Sequence, residues 1–158
     1  MATQAEIARF YQLALRVGLL DTAEIDRWVD SVIEAATSAT FPFTELAGAA
    51  KRSREDVDAL LGEVTGVGDF DKSGRMVLAW LRRRLRDGSV TPDAAVKLAV
   101  EIVRVGGLTQ DEYYRADALD DLLWLAKSGS YGDLEPIRQR IAEFLDWYEE
   151  FDDCIPTA

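Results

Sequence analysis

The chain has 158 residues, of which 48% are hydrophobic and 30% are charged, a balance typical of one folded globular domain. It carries 29 acidic and 18 basic residues, so its formal net charge is −11. A surface of this sign repels nucleic acid and anionic lipid and attracts basic partners. The sequence contains no histidine, which excludes Ser-His-Asp and Cys-His catalytic sites, two-His zinc sites and Glu-x-x-His di-iron sites.

The single cysteine, Cys154, rules out an intrachain disulfide framework. The first residues, Met-Ala-Thr-Gln-Ala-Glu, lack the basic segment and apolar run of a secretory signal. No stretch approaches the roughly 18–20 apolar residues of a membrane span. We therefore expect a cytoplasmic protein that does not contact membranes.

The first half of the chain predicts a series of short helices. Apolar residues at helical spacing predict them over 5–17, 21–36, 44–51 and 54–64. The second begins at Asp21 with Glu24 three residues later, the spacing of a capping box, and Ser53 is suited to cap the fourth. Residues 65–74 are rich in glycine and predict a long loop or linker.

The second half predicts longer helices, over 75–86, 92–105, 109–127 and 135–151. Thr91-Pro92-Asp93 combines an N-cap, a proline at the first helical position and an early acid, which together favour a helix start. Thr109 with Glu112 forms another capping box.

Three connections share one pattern, a glycine followed by a hydrophobic residue and a polar N-cap, at 18–22, 88–92 and 107–111. Short connections of this kind join antiparallel helix pairs. We therefore predict an all-α fold, an irregular bundle of about seven helices, with a short helical-repeat stack as the alternative. Residues 1–158 are expected to form a single domain, and a subdivision would fall at 65–74.

Residues 143–153 interleave six acids with four aromatic rings. On a helix that continues to residue 151, Trp147 and Phe151 would share a flank beside Glu143 and Glu150. Aromatic anchors inside an acidic rim suit recognition of a basic protein. We predict a partner-binding surface formed by Trp147, Glu150, Phe151, Asp152 and Asp153.

The function predicted from these features is non-enzymatic binding of a basic protein partner without a cofactor. In composition and helicity the chain is similar to immunity proteins, which neutralise basic toxins, and this similarity implies occlusion of the partner by charge-steered association. No shared motif accompanies the similarity. A homo-oligomer is also compatible with this composition.

A first alternative is a magnesium-dependent, all-α nucleotide phosphohydrolase. Asp117, Asp120 and Asp121 on one predicted helix, and Glu143 and Asp146 on another, are spaced so that each set shares a helix face. Two such faces can hold Mg²⁺ over a phosphate substrate. The spacing resembles the Glu-x-x-Glu … Glu-x-x-Asp pattern of the all-α nucleotide pyrophosphohydrolases, although the first set here is aspartate.

A second alternative is a helix-turn-helix regulator, because apolar spacing over 46–61 resembles that of bacterial repressors. Lys51-Arg52 replaces the usual turn glycine, and Glu55 and Asp56 would face DNA phosphates unfavourably. The negative charge of these residues therefore disfavours nucleic acid as a partner.

Two further patterns favour structural interpretations. Residues 69–74 copy the first six positions of an EF-hand loop, but Trp80 stands where calcium needs a bidentate glutamate, so we expect a helix N-cap here. The basic run 82–86 is expected to pair with the protein's own carboxylates at a helix C-terminus.

Overall fold

The computed structural model describes residues 1–157, and within that range it contains helices, turns and loops but no strand. The predicted all-α class is confirmed. The described chain divides into two compact units, residues 1–70 with 156–157, and Asp71–Ile155. The prediction of a single domain stays a prediction.

The first unit contains α1 (Gln4–Arg16), α2 (Thr22–Ala35), α3 (Phe43–Leu46), a 3₁₀ helix (Ala49–Lys51) and α4 (Arg54–Gly62). The second contains α6 (Pro92–Gly106), α7 (Gln110–Lys127), α8 (Leu134–Asp146) and a C-terminal 3₁₀ helix (Glu149–Cys154). Helix α5 (Phe70–Arg86) begins at the last residue of the first unit and otherwise belongs to the second. No helix within residues 1–157 is both long and apolar enough to cross a bilayer.

Four aromatic rings in mutual contact form the centre of the first unit. Tyr11 of α1 contacts Phe10 edge-on at 5.1 Å and Trp28 of α2 at 4.9 Å between ring centroids. Trp28 in turn meets Phe43 of α3 edge-on at 5.6 Å. All four rings are buried. Such ring pairs stabilise a core by about 0.5–1.5 kcal/mol each beyond the burial of their area.

The predicted helix starts are confirmed at their caps. Asp21 and Thr109 each form a complete capping box, and the hydroxyl oxygens of Ser53 and Thr91 accept hydrogen bonds from the third backbone N–H beyond them. The structure adds one capping box that the sequence analysis missed, at Thr3.

The predicted helix over 44–51 is wrong, because it is interrupted after Leu46. The side chain of Asp26 accepts hydrogen bonds from the backbone N–H groups of Gly48, at 2.8 Å, and Ala49, at 2.9 Å. Gly48 has a φ of 78°, which favours glycine. A tertiary acceptor on α2 thus replaces the helical acceptors of this segment.

The predicted start of α5 at residue 75 is also wrong, since the helix begins at Phe70 and contains Gly74. A Cβ atom at Gly74 would lie 2.9 Å from Cδ2 of Leu108. The glycine therefore permits a close approach to the α6–α7 connection and does not end the helix. The loop that precedes α5 is correspondingly shorter than 65–74.

In the second unit α6, α7 and α8 pack against one another, and Asp93 at the start of α6 joins all three. Its two carboxylate oxygens accept hydrogen bonds from Arg138 of α8 at 3.0 and 3.3 Å. The ammonium group of Lys127, the last residue of α7, lies 2.6 Å from Asp93 Oδ2. The two cations lower the pKa of Asp93 to about 2.

Glu6 supplies a first test of this fold. Its buried carboxylate accepts the Thr3 N–H and the Asp69 N–H, each at 2.9 Å, so it both caps α1 and holds the loop before α5. We expect Glu6→Ala to lower the free energy of unfolding by about 2 kcal/mol, because two partly buried N–H groups lose their acceptor. Urea denaturation measures this loss.

The matched control is Glu24→Ala, which removes the same capping-box position at α2, where the bond to Asp21 is exposed. The helix propensity changes equally in both variants, and the loss here should be about 1 kcal/mol. Equal losses in the two variants would show that the Asp69 contact contributes nothing.

The lowered pKa of Asp93 predicts that the free energy of unfolding depends on pH in the acid range. A carboxylate whose pKa is lower in the folded than in the unfolded state stabilises the fold above its unfolded pKa, and this contribution disappears as the pH falls. For Asp93 the loss should occur between about pH 4 and about pH 2 and amount to about 1–2 kcal/mol. Asp93→Asn should lack this part of the transition in denaturation curves recorded across that range. A wild-type-like acid dependence in Asp93→Asn would contradict the assignment.

Candidate partner-binding surface

The C-terminal segment is organised around one buried arginine. Arg82, on α5, is 3% exposed. Its Nε donates a hydrogen bond to Asp146 Oδ1 at 2.8 Å, and its Nη1 donates one to Asp152 Oδ2 at 3.0 Å. Its Nη2 lies 2.8 Å from Glu149 Oε1 in an ion pair. One guanidinium thus contacts three carboxylates, and we refer to this arrangement as the Arg82 clamp.

The three carboxylates of the clamp are spaced three residues apart, the repeat of a 3₁₀ helix. The backbone follows the same repeat: the N–H of Trp147 bonds to Phe144 O, that of Tyr148 to Leu145 O, and that of Phe151 to Tyr148 O. In an α-helix each step of three residues would turn the carboxylates by about 60°, so all three could not reach one guanidinium. The predicted α-helix to residue 151 is therefore wrong, and α8 ends at Asp146.

Two neighbouring arginines complete the cluster. Arg83 donates to Asp152 Oδ1 at 3.2 Å and to the backbone oxygen of Asp152 at 2.8 Å, and Arg86 donates to Asp146 Oδ1 at 2.9 Å. This confirms the predicted pairing of the basic run with the protein's own acids for Arg82, Arg83 and Arg86. Three guanidiniums meet three carboxylates, so the cluster has no formal net charge.

The clamp changes the proton affinity of its members. Burial opposes the charge on Arg82, but the carboxylates of Asp146 and Glu149 outweigh it and raise the arginine's pKa above its ordinary value. The Arg82 guanidinium in turn lowers the pKa of Asp146. Both charges therefore persist at neutral pH.

A second anchor lies one residue after Trp147. Tyr148 is buried, and its hydroxyl donates a hydrogen bond to Glu112 Oε1 of α7 at 3.1 Å. Arg75 of α5 holds the same carboxylate with two hydrogen bonds, at 3.1 and 3.3 Å. Burial, reinforced by the adjacent Glu112 charge, raises the pKa of Tyr148. The C-terminal segment is thus attached to α5 and α7 through polar side chains.

The three-residue repeat directs a second set of side chains to solvent. Trp147, Glu150 and Asp153 are all exposed, and Trp147 is 60% exposed. Glu150 and Asp153 take part in no ion pair with residues 1–157. We call these three residues the outer face.

The five residues predicted for partner binding are therefore divided by the structure. Trp147, Glu150 and Asp153 lie together on the outer face, whereas Asp152 points to Arg82 and Arg83. Phe151 is half-buried, and the predicted flank shared by Trp147 and Phe151 does not form because the segment is not α-helical. The binding role of these residues stays a prediction.

The indole ring of Trp147 also borders a groove between α7 and α8. The guanidinium of Arg115 lies over this ring at 4.3 Å from its centroid, and Arg115 Nε pairs with Asp111 at 2.9 Å. Tyr114, which is 58% exposed, forms part of the groove's other side. The groove has a volume of about 380 Å³.

Tyr114 and Arg115 were not among the binding residues predicted from the sequence. The available signal was the composition of α7, whose rings Tyr113, Tyr114 and Trp124 cannot all lie on one buried stripe at these spacings.

The carboxylates of the magnesium alternative do not converge. Asp146 is held by Arg82 and Arg86, while Asp120 and Asp121 lie beside Lys97 at a separate small cavity. No group of three or more carboxylate, thiol or imidazole side chains among residues 1–157 is placed to hold a metal ion. The convergence of Asp117, Asp120, Asp121, Glu143 and Asp146, which the sequence leaves open, is not found among residues 1–157.

The segment 46–61 does not contain two full helices. Before α4 it contains only the last residue of α3 and the 3₁₀ helix Ala49–Lys51. Its basic residue Arg54 donates a hydrogen bond to the backbone oxygen of Leu15. Asp58 of the second helix is held by Arg16 of α1 at 2.9 Å. The EF-hand resemblance also fails as a loop, since residues 70–74 are helical.

Comparison with models of protein families, with curated proteins and with solved structures gives no match to this chain.

Arg82→Met tests the clamp. The substitution leaves three carboxylates, which are 44%, 66% and 23% exposed, without the cation that they share. Solvent partly replaces this cation, so we expect the free energy of unfolding near pH 7 to fall by about 2–3 kcal/mol, less than the loss of about 3–5 kcal/mol when a charge is left buried. Urea denaturation at neutral pH measures this loss.

Arg86→Met is the control, because Arg86 also binds Asp146 but is 58% exposed in its side chain. Exposed ion pairs contribute about 0–1 kcal/mol. If the two variants lose the same small amount of unfolding free energy, Arg82 does not hold the C-terminal segment in place.

Proposed function

We propose that this protein is a non-enzymatic binding domain that recognises a basic segment of another protein through the outer face of Trp147, Glu150 and Asp153. The observation that carries the proposal is the register of these side chains. The Arg82 clamp occupies one edge of the three-residue repeat, so an aromatic ring and two unpaired carboxylates are left in order on another edge.

The chemistry of the outer face suits lysine and arginine side chains. A carboxylate pairs with either cation, and an indole ring attracts a cation to its face. The position of Arg115 over Trp147 is an example within the chain itself. Tryptophan is also among the residues that most often dominate the binding energy of interfaces.

Pre-organisation adds to the argument. Ordering a flexible side chain or loop on binding costs free energy. The backbone of residues 146–154 is already held by Arg82 and by the Tyr148–Glu112 hydrogen bond, so a partner meets a surface of defined shape.

The net charge of −11 supports the same class of partner. An acidic protein steers a basic one over a Debye length of about 8 Å at physiological ionic strength, so association should slow as salt is added. A basic toxin neutralised by occlusion in the cytoplasm, as with immunity proteins, is the partner that best fits this proposal.

The test uses the outer-face variant Trp147→Ala/Glu150→Gln/Asp153→Asn. The wild-type chain is used to capture proteins from an extract of its source cells, and each captured protein is purified for binding measurements. We expect a basic partner whose association rate falls at least tenfold between about 50 mM and about 500 mM NaCl. The variant should weaken its affinity by about 30-fold or more, because an aromatic anchor contributes about 2 kcal/mol or more.

The charge control is Asp30→Asn/Glu34→Gln, which removes two exposed carboxylates from α2 in the first unit. This control should retain wild-type affinity within about threefold. A partner that binds both variants as tightly as the wild type, or that binds without regard to salt, would overturn the proposal.

A further inference from the structure

The groove between α7 and α8 has an apolar floor and charged edges. Leu119 of α7 and Phe144 of α8 form its floor and are almost fully buried. Tyr114 and Trp147 lie beside them in the groove, and each is more than half exposed. Two large rings left in water beside an apolar floor are typical of a surface that another molecule covers.

The charges on the α8 side of this groove are of both signs. Arg140 and Glu143 are exposed, lie three residues apart on one face of α8, and line the groove. Neither forms an ion pair with any of residues 1–157, and Glu143 receives only a long hydrogen bond from Gln139 at 3.4 Å. These two charges are therefore available to an incoming molecule.

Because the groove is lined by charges of both signs, it favours some ligands over others. Arg115 and Arg140 disfavour a purely basic ligand inside the groove, and Glu143 disfavours a purely acidic one. A surface that carries an adjacent positive and negative charge is complementary to a copy of itself turned by a two-fold rotation. In such an arrangement Arg140 of each copy meets Glu143 of the other.

We propose that a second copy of this chain covers the α7–α8 groove, giving a two-fold symmetric dimer in which the two α8 helices run antiparallel. Arg140 and Glu143 form two equivalent intermolecular ion pairs around the axis. The exposed rings of Tyr114 and Trp147 become buried at the edges of the same interface, and this burial supplies most of the affinity.

The dimer has a consequence for the outer face, and this consequence rests on the function proposed above. Trp147 belongs both to the groove and to the outer face. Self-association and binding of a basic partner therefore compete, so the partner should dissociate the dimer. The dimer itself is tested without any partner, so its failure and the failure of the proposed function are distinguishable.

Sedimentation equilibrium of the full chain over a concentration series is the experiment. We expect a concentration-dependent dimer that persists between about 50 mM and about 500 mM NaCl, because salt also screens the repulsion between two acidic copies. Arg140→Glu places like charges opposite each other at both ion pairs, and so does Glu143→Arg. Each should raise the dimer dissociation constant at least tenfold.

The double variant Arg140→Glu/Glu143→Arg exchanges the two charges and restores both ion pairs, so its dissociation constant should return to within about threefold of the wild type. Such a recovery is expected only if Arg140 of one copy contacts Glu143 of the other across a two-fold axis, and a general effect of charge would not produce it. Glu34→Arg, at an exposed position on α2, is the control for a charge reversal of the same size and should leave the dimer unchanged.

Three results would overturn the inference. One is a wild-type chain that stays monomeric at every concentration. Another is a dimer that the two single reversals do not weaken. The third is a double variant that dissociates as readily as the single variants, which would place Arg140 and Glu143 outside a two-fold contact. Circular dichroism checks that each variant has kept its helical content.

Discussion

A cation removed from water has to be matched by anions at short range, and Arg82 meets this requirement with three carboxylates from a single segment. The cost of transferring a guanidinium into a buried position is several kcal/mol unless its donors are satisfied. Asp146 and Asp152 accept hydrogen bonds from Arg82, and Glu149 balances its charge in an ion pair, only if all three project from one edge of the chain. The conformation of the C-terminal segment follows from this geometric condition, since a 3₁₀ repeat aligns residues three and six apart, whereas an α-helix would turn Asp146 and Asp152 about 120° away from each other.

The outer face is formed by residues of the same segment that do not bind Arg82. Trp147, Glu150 and Asp153 occupy a separate edge of the same repeat, and the hydrogen bond of Tyr148 to Glu112 holds the segment to α7. A surface held by buried polar contacts is stiff, which would favour affinity in the binding proposed for it. Its neighbour, the α7–α8 groove, shares Trp147, so one aromatic ring serves two surfaces of different charge character.

Local signals predicted much of the helical structure and part of the candidate site. The capping boxes at Asp21 and Thr109 and the cap at Thr91 act within one turn of backbone, so the sequence alone reveals them. The concentration of acids and rings at 143–153 was likewise visible without coordinates. The inward direction of Asp152 was not, because its partner Arg82 lies 70 residues earlier in the chain. The involvement of Tyr114 and Arg115 was missed for a similar reason, since their groove is formed by residues of both α7 and α8.

The sequence by itself determined the all-α class, the acidic character, the absence of histidine chemistry and most helix starts, because these depend on composition and on contacts within a few residues. The tertiary structure decided where helices stop and which acids remain free. Asp26 interrupts the helix predicted over 44–51, the side chain of Leu108 packs closely over Gly74 inside α5, and Arg82 binds Asp146 where α8 ends. In each case a side chain distant in sequence supplies a hydrogen bond, a steric limit or a charge, and such long-range contacts are stronger than the local preference of the backbone.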